Sequence, residues 1–154
     1  MLATTLKHLA GLSLLVGLVF GQQAQAGAQE LVGLLTRDLG VTEEQAAGGA
    51  GAIFGYAKER LSPGDFSKLS SAIPGLDGLL AVAPALEPEG GVLGKAGAML
   101  GGGEASGLAR LGSGFSKLGM APDMASKFVP VILNYVNSSG GAALQKMLQQ
   151  ALMG

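Results

Sequence analysis

The chain has 154 residues, no cysteine, one histidine and a formal net charge of -1 at pH 7. A chain this close to neutral lacks the basic patch that binding to nucleic acid or anionic lipid requires, which argues against both as partners. Without cysteine it cannot form disulfides, so a hydrophobic core must hold a domain of ordinary size together.

The N-terminus has the three-part pattern of a secretory signal peptide. Lys7-His8 forms a short positive region, residues 9–20 form an apolar run, and residues 24–26 place small alanines where a signal peptidase cleaves. The apolar run is shorter than the roughly 20 residues that a membrane span needs, so a cleaved leader is favoured over an uncleaved anchor. We assign residues 1–26 as a signal peptide and expect cleavage near Ala26, with export to the periplasm or the cell exterior.

Two helices are predicted directly after the leader. Leucines at helical spacing predict the first over residues 28–39, and Gly40 suits a left-handed cap at its end. Thr42 and Gln45 have the spacing of a capping box, in which each side chain bonds the other residue's backbone. They should start a second helix that runs to about Arg60.

A third helix completes a first unit over residues 27–75. Ser62-Pro63 starts this helix, because serine caps a helix and proline suits its first turn, and Pro74-Gly75 ends it. Gly51 and Gly55 lie four residues apart in the second helix. Since glycine is a poor helix former, we expect these positions to allow another backbone to approach closely.

Residues 76–107 are predicted to be a Gly/Pro-rich linker between two units. Short apolar pieces at 79–82 and 92–100 suggest single helical turns or a short helix. We expect residues 84–107 to be the most labile part of the chain, because glycine and proline there bury too little apolar surface to offset the cost of ordering.

Residues 108–154 are predicted to be a second unit of three helices. The first of them should carry one apolar stripe, formed by Leu108, Leu111, Phe115 and Leu118. The second should start at residues 121–123, where proline suits the first helical turn, and bend at Pro130. Residues 137–141 are typical of a turn, which leads to a last helix whose apolar face is Leu144, Met147, Leu148, Ala151 and Leu152.

The middle helices of the two units carry the same apolar stripe at a constant offset. The first stripe is Ala46, Ala50, Ile53, Phe54 and Ala57, and the second is Ala125, Val129, Ile132, Leu133 and Val136. The repeat is weak, and convergence of two helical hairpins explains it as well as duplication does. Neither unit is large enough to be stable alone, so the stripes should share one core with Ile53 and Ile132 at its centre. We expect the two helices to cross at Gly48, Gly51 and Ala52.

Few residues are suited to catalysis. After cleavage the chain has neither histidine nor cysteine, which removes the commonest general base, the thiolate nucleophile and the usual zinc ligands. Glu43 and Glu44 are adjacent and are better explained as first-turn charges that favour the helix dipole. We therefore expect no enzyme activity, no cofactor and no metal site.

Two tyrosines and two isoleucines are the candidate site residues. Tyr56 and Tyr135 flank the two stripes at equivalent places. Each could pack its ring at the edge of the core with its hydroxyl in water, or the pair could line one groove. The possible groove or interface therefore comprises Ile53, Tyr56, Ile132 and Tyr135.

Three stretches of the sequence resemble a known family. The chain is similar to the VcgC/VcgE family of short bacterial proteins of unknown function. The similar stretches are the leader, the block LGVTEEQAAGG with the following GAIFGYAKERLSPGDFSKLSSAIPG, and the terminal VPVILNYVNSSGGAALQKMLQQAL. The resemblance covers nearly the whole mature chain and is most specific from Gly40 to Gly75. It implies a small exported α-helical protein and supplies no catalytic or binding residues.

The sequence thus predicts an all-α protein, a small bundle of two weakly repeated three-helix units joined by a Gly/Pro-rich linker. The role we expect is that of a non-catalytic interaction or structural protein of the bacterial cell envelope, with an envelope protein as partner. The alternative is a carrier of an apolar ligand or lipid in a groove between the two helical units.

Overall fold

The computed structural model describes residues 27–86 and 103–153, and this part of the chain is all-α without strands. The helices are α1 (Ala28–Leu39), α2 (Glu43–Arg60), α3 (Pro63–Ala72), α4 (Leu76–Val82), α5 (Gly103–Lys117), α6 (Met124–Gly140) and α7 (Ala142–Met153). The predicted all-α class is confirmed. The predicted leader and the apolar piece at 92–100 lie outside the described residues.

The predicted ends of the first helices are confirmed. Gly40 has a left-handed conformation with φ 67°, and its N–H donates to Thr36 O at 3.0 Å. At the start of α2, Thr42 Oγ1 accepts from the Gln45 N–H and the Thr42 N–H donates to Gln45 Oε1, both at 3.2 Å. Ser62 Oγ accepts from the Asp65 N–H in the same way at the start of α3. These local bonds fix where each helix begins, independently of the core.

Helix α2 lies at the centre of the fold and contacts every other described helix. Its buried residues cover its circumference rather than one face; they are Ala46, Gly48, Gly49, Ala50, Gly51, Ala52, Ile53, Phe54, Tyr56 and Ala57. Small side chains on α2 leave room for neighbours to approach from several directions.

The two apolar stripes lie in one hydrophobic core, as predicted. Ile53 and Ile132 have no exposed surface. Phe115 of α5 and Phe128 of α6 meet edge to face with ring centroids 4.8 Å apart, and both rings approach Gly49 of α2. Each fully buried side chain of this size contributes about 1.5–3 kcal/mol of hydrophobic stabilisation.

The predicted crossing point between α2 and α6 is wrong. Gly51 faces the backbone carbonyl of Leu79 in α4, Gly48 faces the side chain of Leu118, and Ala52 lies near Gly114 of α5. A close contact with α6 is made at Gly49, where Phe128 packs. The close approach of a backbone occurs at Gly51 as expected, but the partner is α4.

The apolar piece predicted at 79–82 is helical, and its helix is longer than predicted. Residues 76–82 form the helix α4, which follows Gly75 in a left-handed conformation with φ 86° and buries Leu76 and Leu79. The spacing of these leucines gives α4 a core-facing side, so this segment is part of the fold. Farther along the chain, α5 begins at Gly103 rather than at Leu108. With α4 added, the two units do not match helix for helix.

The inward face of α5 is rotated relative to the predicted stripe. Leu108 is 43% exposed, whereas Arg110 is only 7% exposed. Gly107 and Gly114 face the core beside Leu111 and Phe115, which are buried as predicted. Glycines do not register as apolar positions in a periodic pattern, so the pattern included Leu108 and left out Gly107 and Gly114.

Helix α6 starts later and ends later than predicted. Its first residue is Met124, whose N–H donates to Ala121 O at 3.0 Å in a preceding turn. Asp123 makes no side-chain cap. The predicted turn at 137–141 is helical up to Gly140. Within this stretch Ser138 Oγ donates to Asn134 O at 3.1 Å, a bond that a serine in a helix can make.

Candidate functional site

The four residues predicted to line a groove or interface lie in the core. Ile53, Tyr56 and Ile132 have no exposed surface, and Tyr135 is 7% exposed. The structure therefore places all four where they join helices, and of the four Tyr135 also lines a surface depression.

Tyr56 joins α2 to α5. The guanidinium carbons of Arg60 and Arg110 lie 4.6 and 5.4 Å from its ring centroid, within the range of cation–π attraction. Arg110 Nη2 also lies 3.2 Å from Glu59 Oε2. The hydroxyl is buried and faces the backbone of Gly107, so the expectation of a hydroxyl in water is wrong.

Tyr135 joins α6 to the residue before α1. Its hydroxyl donates to Gly27 O at 2.9 Å. Burial raises the pKa of the Tyr135 phenol above its ordinary 10.0, the negative charge of Glu30 adds to the increase, and a hydrogen bond with Ser139 opposes it. The two tyrosines hence serve different contacts and do not act as a symmetric pair in one groove.

An open apolar groove lies instead between α1, α2 and α4, and we call it the α1–α4 groove. Its volume is about 1010 Å³, and its lining includes Ala28, Val32, Ala47, Leu79, Val82 and Leu118, with Gln29, Glu43 and Glu44 at polar positions. Val82 is 56% exposed. The groove combines an apolar floor with two carboxylates.

Local backbone features build the α1–α4 groove. Gly51 lets the carbonyl of Leu79 approach α2, and the left-handed Gly75 turns the chain into α4. Sequence reasoning missed this site because it assigned α4 to the linker. The signal was present in Leu76, Leu79 and Leu80, whose spacing is that of a helical face.

Two smaller depressions are more polar. One of about 440 Å³ lies between Arg60, Asp65 and Met147. The Asp65 carboxylate there accepts from Ser62 Oγ at 2.8 Å and from Lys68 Nζ at 3.1 Å, and these bonds lower its pKa.

The other, of about 420 Å³, lies between α1 and α6 and is lined by Glu30, Asp38, Asn134 and Tyr135 among others. Within residues 27–86 and 103–153, no group of three or more histidine, cysteine or acidic side chains is arranged to hold a metal ion. Over the same residues, no helix has the length and apolar character needed to span a bilayer.

Comparison with known proteins gives a family and no function. Residues 20–153 match the family described as protein of unknown function VcgC/VcgE (DUF2780). No curated protein and no solved structure matches the chain. Since the match spans most of the sequence, the chain belongs to the VcgC/VcgE family.

Proposed function

We propose that the protein is an exported, non-catalytic interaction protein of the bacterial cell envelope, which binds a partner in the α1–α4 groove. Export is supported by the three-part leader pattern of residues 1–26. The observation that carries the interaction role is the open groove, where the exposed Val82 and half-buried apolar side chains such as Val32 and Ala47 lie with the carboxylates of Glu43 and Glu44. Exposed apolar patches with a polar rim are typical of binding surfaces.

The packing favours a protein partner over an apolar cargo. Pockets that carry small apolar ligands usually enclose most of the ligand surface. Here the space between α2 and α6 is filled by Ile53, Ile132 and the edge-to-face pair of Phe115 and Phe128. The α1–α4 groove lies outside that core and is open to solvent on one side.

The charges of the groove indicate the kind of partner. Glu43 and Glu44 are exposed, and both border an apolar floor to which Val32, Ala47 and Val82 contribute. An amphipathic helix places an apolar stripe beside charged residues, so a helix with lysine or arginine next to its stripe complements this surface in both properties. We therefore propose that the partner binds the groove through an amphipathic helix that carries lysine or arginine beside its apolar stripe.

A pair of model peptides tests this assignment. One synthetic amphipathic helix has a leucine stripe flanked by lysines, and its counterpart has glutamates in place of the lysines. We expect fluorescence anisotropy to show that the basic peptide binds the protein and that binding weakens with added salt. Val82→Asp should weaken this binding about tenfold or more, and Glu43→Lys with Glu44→Lys should reverse the preference between the peptides.

Leu108→Asp is the matched control, because Leu108 is also an exposed apolar residue, at 43%, and lies outside the groove lining. It should leave binding unchanged. Equal binding of both peptides, or equal weakening by Val82→Asp and Leu108→Asp, would contradict the groove as a docking surface. Recovery of a bound fatty acid or phospholipid from protein purified from the envelope, with no peptide binding, would replace the proposal by the carrier alternative.

A further inference from the structure

The α1–α4 groove is long enough to hold about three turns of a helix. One end lies where α1 begins, since the Ala28 N–H donates to Pro74 O at 2.8 Å and Gly75 lies against the Ala28 side chain. The other end lies at Glu43, which the short connection of residues 40–42 keeps beside the last turn of α1. Because α1 has 12 residues, the rise of a helix places the two ends about 17 Å apart.

The two ends of the groove differ in charge. Among the described residues that line it, Glu43 and Glu44 alone are charged, and both lie in the first turn of α2. Leu118 also lies at this end, because its carbonyl accepts from Gln45 Nε2 at 3.2 Å and its side chain faces Gly48. The opposite end is lined by uncharged residues, which are Ala28, Gln29, Pro74, Gly75 and Gly78. Negative charge in the lining is thus confined to one end, beside an apolar side chain.

Two further carboxylates near the uncharged end belong to neighbouring surfaces. Glu30 follows Gln29 in α1, but it lines the depression between α1 and α6 beside Tyr135. Asp77 precedes Gly78 in α4 and is exposed, yet it is not part of the groove lining. Since neither of them lines the groove, a cationic side chain of a segment bound there meets its carboxylates at the α2 end.

We infer that the groove fixes the direction of its partner. It takes a helix of about three turns whose lysines or arginines are clustered at one end of the apolar stripe, and it holds that end beside Glu43 and Glu44. The inference rests on the proposed docking of an amphipathic helix and adds its length, its charge pattern and its orientation. A helix bound in the reverse direction would leave its cations over the uncharged end and both carboxylates without a counter-charge.

Distances from pulsed electron paramagnetic resonance test this direction. The full chain has no cysteine, so one introduced cysteine carries one nitroxide at a known place. Arg37→Cys marks the α2 end and Asp77→Cys the opposite end, and both positions are exposed and outside the lining. The peptide is a leucine-stripe helix with lysines and a second nitroxide at one end. We expect this basic end to lie closer to position 37 than to position 77 by roughly 10 Å or more, and a peptide of reversed sequence to turn around accordingly.

Moving the carboxylates along the groove tests their role directly. Glu43→Gln with Glu44→Gln removes the charges of one end. Gln29→Glu with Gly78→Glu places two charges at the other, where an added Cβ on Gly78 meets no described atom within 4 Å. With all four changes the basic end should lie nearer to the label on α4. Gly33→Glu is the matched control, because this exposed helical glycine is equally open and lies outside the lining, and it should leave the order of distances unchanged.

Three results overturn the inference. A basic end that lies nearer to position 77, or equal populations of both directions, would show that the groove binds a helix without fixing its direction, and the proposed function would stand. An order of distances that survives the charge exchange would show that Glu43 and Glu44 do not set the direction. If neither peptide binds at all, the groove is not a docking surface for a helix, and the proposed function fails together with the inference.

Discussion

Helices α2 and α6 carry the same apolar stripe but occupy different environments. In α6 the stripe forms one buried face, while Pro130 and Asn134 on the other side are exposed. In α2 the residues between the stripe positions, including Gly48, Gly49 and Gly51, are buried as well. The same periodic pattern thus belongs to a helix with one exposed side and to a helix that is buried around most of its circumference.

The difference comes from the size of the residues between the stripe positions. Each glycine in a helix interior costs about 1 kcal/mol relative to alanine, so α2 is a poor helix by its own propensity. Its glycines allow a carbonyl of α4 and an aromatic ring of α6 to come close. Tertiary packing therefore stabilises α2, and α2 in turn supplies the surface on which the other helices assemble.

Truncation of the central isoleucines gives the largest expected effect and tests whether the two stripes form one core. Ile53→Ala in α2 and Ile132→Ala in α6 each remove a side chain with no exposed surface. Each should lower the free energy of unfolding by about 2–5 kcal/mol. Urea melts followed by far-UV circular dichroism should show one cooperative transition for both variants and for the parent protein.

The same melts can contradict the shared core. If residues 27–86 and residues 103–153 fold as two separate units, the melt would show two transitions and Ile132→Ala would shift only one of them. A negligible loss for either isoleucine would likewise show that its stripe is not buried in solution. The conservative pair Ile53→Val and Ile132→Val provides the control, with an expected loss of about 0.5–1.5 kcal/mol each.

Two glycines of α2 sharpen the comparison because they differ only in what they face. A methyl group at Gly51 would meet the backbone carbonyl of Leu79, which cannot move without α4. At Gly55 the nearest atom is Leu80 Cδ2 at 3.9 Å, which is ordinary contact. We expect Gly51→Ala to destabilise the protein by about 1–3 kcal/mol, whereas Gly55→Ala should be neutral or stabilise it by up to about 1 kcal/mol.

Thermal and urea melts of the two glycine variants measure this difference directly. Because both substitutions raise the intrinsic helix propensity of α2 equally, their difference isolates the contact with α4. Similar stability of the two variants would mean that α4 does not pack closely on α2. The α1–α4 groove, of which Leu79 is part, would then lose its structural basis.

The comparison also explains how much of the fold the sequence could predict. The ends of α1, α2 and α3 were predictable, because their caps depend on residues three or four positions apart, such as Thr42 and Gln45. The stripes of α2 and α6 were predictable as helical faces. The helices that pack around α2 could not be predicted in the same way, because a helix buried on all sides has little amphipathic signal.

The site itself was missed for a related reason. Its floor combines side chains from α1, α2 and α4, and only the packing of α4 on Gly51 brings them together. The prolines and glycines near α4 are typical of a linker, so α4 was not predicted to be part of the fold. In α5 the buried positions include Gly107 and Arg110, which an apolar pattern does not count, so Leu108 was taken for a core residue.

The tyrosine of α6 provides the smallest predicted effect and extends the comparison to pH. Tyr135→Phe removes the hydrogen bond to Gly27 O and should cost about 0.5–1.5 kcal/mol near neutral pH. The fold raises the pKa of Tyr135 above its unfolded value of 10.0. At a pH between the unfolded and the folded pKa, the unfolded chain therefore binds fewer protons than the folded chain. The contribution of Tyr135 to stability is therefore complete below the unfolded pKa and is lost as the pH rises through the folded pKa.

The stability difference between the parent protein and Tyr135→Phe should accordingly shrink as the pH rises above about 10. Urea melts of both proteins at about pH 8 and about pH 10.5 measure this change, and other alkaline titrations cancel in the difference. A constant difference across this range would mean that the phenol is not held neutral by the fold. Since burial is the main cause of the raised pKa, that result would count against a buried Tyr135 hydroxyl that donates to Gly27 O.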